Sequence, residues 1–292
     1  MKRLILLALA LFALTARAQT PQEDYLRRYN NLVERVGPAG LGVETLIDKW
    51  EADYPDDIQP LLARFSFCFA RSQSTELIQL DRDRYLGQDP VLPLKDSLGR
   101  RCNWFQDYHY DDELYAAANL AIDKVIAMEP LRLDLRFLKI NAMLAYEKEQ
   151  PDMTLLELKN LADKHFKTHP AWEYEGLGAV SDDQFKAFMQ DYCVTLFRRG
   201  SDASSEAFKS LSEHLLRYCK DEPLYLNDLG SYYLIKRDYK KALKYYEQVL
   251  KKHPDDATAL QNGLLLARAK KDAKLEKKFR DRITETNLRN QP

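Results

Sequence analysis

No CxxC, HExxH or GxSxG motif occurs in this chain, and each absence removes a class of chemistry. The four cysteines, Cys68, Cys102, Cys193 and Cys219, lack the pairing of zinc and thiol–disulfide motifs and read as small buried hydrophobes. His165 and His169 stand at i, i+4, but beside a predicted helix end at Pro170, where the helix dipole favours imidazole. Gly37-Pro38-Ala39-Gly40-Leu41-Gly42 is glycine-rich yet follows a helix and lacks the phosphate-binding lysine. Asp81-Arg82-Asp83 lacks the remaining ligands of a calcium loop. We therefore expect no catalytic residues, no metal site, no cofactor and no enzymatic activity. An excess of positive charge is also missing: 44 Lys and Arg face 45 Asp and Glu, which gives no electrostatic reason to expect nucleic acid as a partner.

Long apolar runs are scarce. The one that stands out, Leu4 to Leu14, follows basic Lys2 and Arg3 and precedes Ala16-Arg17-Ala18, the arrangement of an export signal with an A-x-A cleavage site. It is short for a membrane span. Residues 1–18 are expected to be removed, which takes the formal net charge from −1 to −4 and leaves a periplasmic or secreted chain. No cysteine follows the cleavage site to carry a lipid, and no second run is long enough for a transmembrane anchor.

What the chain has in abundance is helical periodicity. Its clearest stretch runs from Pro223 to Pro254, where Leu226, Leu229, Gly230, Tyr233, Ala242, Tyr246, Val249 and Pro254 resemble the tetratricopeptide repeat (TPR), a helix–turn–helix unit of about 34 residues. The pattern has physical reasons. Gly230 and Ala242 are small where two helices must approach, large apolar residues fill the space around them, and Pro223 suits a first helical turn. Asp238 is placed to cap the second helix. Weaker half-patterns occur at Val43, Ile47, Trp50 and Pro55, and at Ala118, Ile122, Val125 and Pro130. A lone repeat cannot bury its apolar face, so the expected fold is mainly α, a TPR-like α–α superhelix of antiparallel helix pairs with a small β-hairpin insertion. The expected segments are 1–18 (signal), 19–72 and 111–170 (divergent helices), 73–110 (insertion), 171–222 (connector and helix pair), 223–256 (clear repeat) and 257–292 (capping helices).

Four acidic doublets, Asp56-Asp57, Asp111-Asp112, Asp182-Asp183 and Asp255-Asp256, each precede a periodic run and are expected to cap helices and oppose their dipoles. The insertion is inferred from β-favouring runs on either side of the turn-rich Lys95-Asp96-Ser97-Leu98-Gly99, with Pro93 restricting its run to an edge. Within it, Trp104, Gln106, Tyr108 and Tyr110 alternate as residues of one strand face do.

Three further segments, Leu94-Lys95-Asp96-Ser97-Leu98-Gly99, Tyr110-Asp111-Asp112-Glu113-Leu114 and Leu131-Arg132-Leu133-Asp134-Leu135-Arg136-Phe137, are similar to those of a group of uncharacterised exported TPR proteins of bacterial envelopes. That resemblance implies a fold and no particular activity. TPRs that clamp C-terminal carboxylates have Lys and Asn where this chain has Asn227 and Ser231, which speaks against that mode. The expected role is an exported, non-enzymatic scaffold for a protein or peptide partner, with Leu224, Asn227, Ser231, Leu234 and Ile235 on its binding face. The alternative is a carbohydrate-handling accessory protein that stacks sugars on Trp104, Tyr108 and Tyr110.

Overall fold

The computed structural model describes residues 21–289. The expected export signal lies outside them. Among the described residues twelve helices dominate: α1 (Pro21–Val36), α2 (Val43–Asp53), α3 (Ile58–Ser72), α4 (Asp112–Met128), α5 (Leu133–Glu147), α6 (Asp152–Thr168), α7 (Asp182–Arg199), α8 (Asp202–Leu215), α9 (Pro223–Ile235), α10 (Tyr239–Lys252), α11 (Ala257–Lys270) and α12 (Ala273–Arg289). None of them is long and apolar enough to cross a membrane. Strands β1 (Gln73–Leu80) and β2 (Asn103–Tyr110) form one antiparallel pair, and β3 (Glu173–Tyr174) and β4 (Gly178–Ala179) a second, minimal one.

Most helix neighbours in sequence pack on one another, with α6 instead packed mainly on α5 and α8, and the apolar residues gather into three successive cores. The first joins Val43, Ile47 and Trp50 of α2 to Phe65 and Cys68 of α3 and Ala118, Ile122 and Val125 of α4. The second runs from α5 to α9 around Trp172, Phe185, Met189 and Phe208. The third joins Leu226 of α9 to Tyr246, Leu260 and Phe279. Helices α5 and α9 each serve two cores, through Leu135 and Leu133, and through Leu226 and Tyr225. An element walled in on both sides loses the wet face of an amphipathic helix. In α9 the unbroken run from Tyr225 to Gly230 is buried, including the polar Asn227 and Asp228.

Helix ends follow from local chemistry. Asp57, Asp111, Asp238 and Asp256 accept backbone N–H groups at the starts of α3, α4, α10 and α11. At α7 the expectation needs correction: Ser181 is the cap, in a reciprocal capping box with Gln184, while Asp182 and Asp183 only occupy the first turn. The helix-dipole account of His165 also fails. Its ring is buried and stacked on Phe185 at 3.7 Å, and desolvation lowers its pKa, so it packs as a neutral ring. All four cysteines are free, Cys68 and Cys193 buried, Cys102 and Cys219 partly so.

Gly230 packs directly beneath a neighbour. A Cβ there would overlap the Tyr246 ring, so only hydrogen lets α9 and α10 approach this closely. The same device recurs in the next pair. Gly263 of α11 lies against Phe279 of α12, and both partners stand 33 residues beyond their counterparts. The helix starts repeat at 34 residues, from Pro223 to Ala257 and from Tyr239 to Ala273.

Candidate functional site

The expected binding-face residues of α9 divide into two groups. Leu224 and Ile235 are exposed, and Leu234 is partly buried against the third core. Asn227 is buried and donates from Nδ2 to Asp256 Oδ1 at 3.1 Å, tying α9 to the cap of α11. Ser231 donates to the Asn227 carbonyl at 2.9 Å and accepts from Asn262 Nδ2 at 3.2 Å. Both polar side chains thus serve contacts between helices.

In the insertion, β1 and β2 pair in register from Gln73 with Tyr110 to Leu80 with Asn103. Alternation along β2 buries Asn103, Phe105 and Asp107 on one face. Trp104 and Tyr108 stay half-buried and Gln106 exposed on the other, alongside exposed Leu77 and Thr75 of β1. Tyr110 leaves that row. Its ring meets Phe69, Tyr115 and Tyr146 at 5.6–6.3 Å, in a box formed with α3, α4 and α5. Between the strands, Leu92 bridges Trp104 and Lys95 bridges Arg101, so the run containing Pro93 adds to the outer edge of β2.

The buried face of β2 is a clasp. Tyr85 donates to Asp107 Oδ1 at 3.0 Å and Lys148, just past α5, to Oδ2 at 2.9 Å. Burial on its own would raise the Asp107 carboxyl, but the hydrogen bonds from Lys148 and Tyr85 outweigh it and hold the pKa below the usual carboxylate range. Arg82 adds an ion pair with Glu149 at 2.6 Å. Arg199 of α7 closes the same corner by donating to the carbonyls of Leu144 and Lys148 at the end of α5. Glu76, directly across the ladder from Asp107, and His109, two residues along β2, complete a group of three possible metal ligands whose donor atoms all lie within 4.8 Å of one another. Sequence reasoning missed it, because its members are brought together by strand register and by a 33-residue return of the chain.

A second feature absent from the sequence reading lies between α5 and α7. The segment expected to be a plain connector folds into the β3–β4 hairpin, anchored by buried Trp172 and by the Glu173 N–H donating to the Leu131 carbonyl. This sets Tyr174 on Phe188 at 5.2 Å, with Phe137 against Phe188 at 5.4 Å and Tyr192 at 5.3 Å. The four rings line a groove of about 210 Å³ together with Asn141, Asp191 and Thr195. The Tyr192 hydroxyl donates to Asn141 Oδ1 at 3.0 Å, which fixes the amide at the rim. That volume is below the range typical of cofactor and metabolite pockets and suits one or two side chains of an extended chain. The i, i+4 spacing of Phe188 and Tyr192 was visible, but it reads equally as core until Tyr174 is placed beside it.

Searches of family models, curated proteins and solved structures find no match.

Proposed function

We propose that the chain is an exported, non-enzymatic TPR-like scaffold that binds a protein or peptide partner in the cell envelope. One observation carries the repeat reading: the glycine–aromatic contact of Gly230 with Tyr246 returns, 33 residues on, as Gly263 with Phe279. Consecutive helix pairs built on one contact stack side by side, and the grooves between their helices are the surfaces such arrays offer to partners. The groove between α5 and α7 supplies what a peptide needs: an aromatic floor of Phe137, Tyr174, Phe188 and Tyr192, and polar rim groups Asn141, Asp191 and Thr195. Leu224 and Ile235 are separate exposed apolar residues on α9. Crosslinking with mass spectrometry in the producing cell tests this reading. A photo-crosslinking residue at Asp191, which lines the groove on α7, should capture one recurrent partner, and Phe188→Ala should reduce the yield at least about tenfold. A partner captured equally well by the variant would refute this use of the groove.

The exposed face of β2 favours a second reading, carbohydrate handling by Trp104 and Tyr108, whose rings share that face with Gln106. Tyr110 is no longer part of it, since its ring belongs to the aromatic box. A tryptophan-fluorescence titration with envelope glycans should saturate under this reading and disappear in Trp104→Ala. No saturation with the wild-type protein would eliminate it.

A further inference from the structure

We propose that Glu76, Asp107 and His109 form a divalent transition-metal site on the β insertion, with zinc the best-suited ion. His109 Nε2 lies 2.7 Å from Glu76 Oε1 and 3.7 Å from Asp107 Oδ2. These separations bracket the ~3.4 Å edge of a tetrahedron with bonds of about 2.1 Å to nitrogen and oxygen. One imidazole and two carboxylates are a donor set that zinc accepts, leaving a fourth position for water.

The three donors converge because of the ladder. Glu76 and Asp107 are register partners, so their side chains share a face, and His109 follows Asp107 by one strand period on that same face. Asp107 is held in place by Tyr85, which donates to Oδ1, the outer hydrogen bond that orients a ligating carboxylate while Oδ2 faces His109. Exposure of the His109 and Glu76 side chains, 54 and 55%, gives an ion direct access from solvent. The Lys148 ammonium at Asp107 Oδ2 shows that this position already attracts a cation, and it competes with the metal for one lone pair.

Isothermal titration of the purified mature chain with zinc chloride tests the site. One equivalent should bind. His109→Ala and Glu76→Gln should each weaken binding at least about tenfold, while His169→Ala, on exposed His169 elsewhere, should leave it unchanged. Lys148→Met should tighten binding by removing the competing ammonium. Long-range imidazole NMR adds a readout that does not depend on the variants: zinc should shift the His109 ring nitrogens and spare those of His169. Failure of zinc to bind, or binding undiminished in both His109→Ala and Glu76→Gln, would overturn the proposal. Zinc shifts confined to other histidines would do the same.

Discussion

Asp228 is the residue whose environment departs furthest from its chemistry. Its carboxyl lies among α7, α8 and α9, where Gln190 Nε2 donates to Oδ1 at 2.8 Å and the Ser212 hydroxyl to Oδ2 at 3.2 Å, with buried Cys193 beside them. Burial pushes its pKa up to about 7 against hydrogen bonds that work in the opposite direction. An acid whose pKa is raised by folding stabilises the native state only while it is protonated. The stability it contributes is therefore lost progressively as pH rises from the unfolded value of 3.8 through about 7. Chemical denaturation of Asp228→Asn should show a variant that gains on the wild type by about 3 kcal/mol as pH rises from 5 to 8. A pH-independent difference would contradict the account. Gly230 makes the opposite kind of demand, for space. Gly230→Ala should cost about 1–3 kcal/mol by pushing the Tyr246 ring off its seat, read as a lowered midpoint in urea. The need for a small residue at 230 was evident from sequence spacing. The burial of Asp228 was not, because it depends on α9 having neighbours on both sides.

Elements differ in how much of them the chain announces. The ends of α4, α10 and α11 follow from Asp111, Asp238 and Asp256, since a cap acts on N–H groups two or three residues away. Asp256→Ala should cost about 1–2 kcal/mol, because it removes both that cap and the acceptor for Asn227. Hydrogen exchange should show the loss first at the amino end of α11; uniform protection along the helix would argue against it. The insertion was visible as two β-favouring runs around a turn, but its clasp was not. The contacts of Asp107 with Lys148 and of Arg82 with Glu149 span 41 and 67 residues, and no local pattern encodes such meetings. The β3–β4 hairpin escaped for another reason: two-residue strands carry no periodicity, and their position depends on the burial of Trp172.

At the scale of the whole molecule, three cores joined through α5 and α9 imply stability transmitted from neighbour to neighbour. Deleting α11 and α12 removes Leu260, Leu266 and Phe279 from the third core and uncovers Leu226, Tyr246 and Val249. Such a truncation should bind a hydrophobic dye and melt at lower temperature while its first core keeps native exchange protection. The central claim, however, is that the groove between α5 and α7 holds a partner. A photo-crosslinking residue placed at Asn141 or Thr195 in the producing cell tests it directly, with Lys124 on the exposed side of α4 as control. The account predicts one discrete adduct from both groove positions and none from Lys124, lost again in Phe188→Ala. No adduct at the groove, or the same adduct from all three positions, would contradict it.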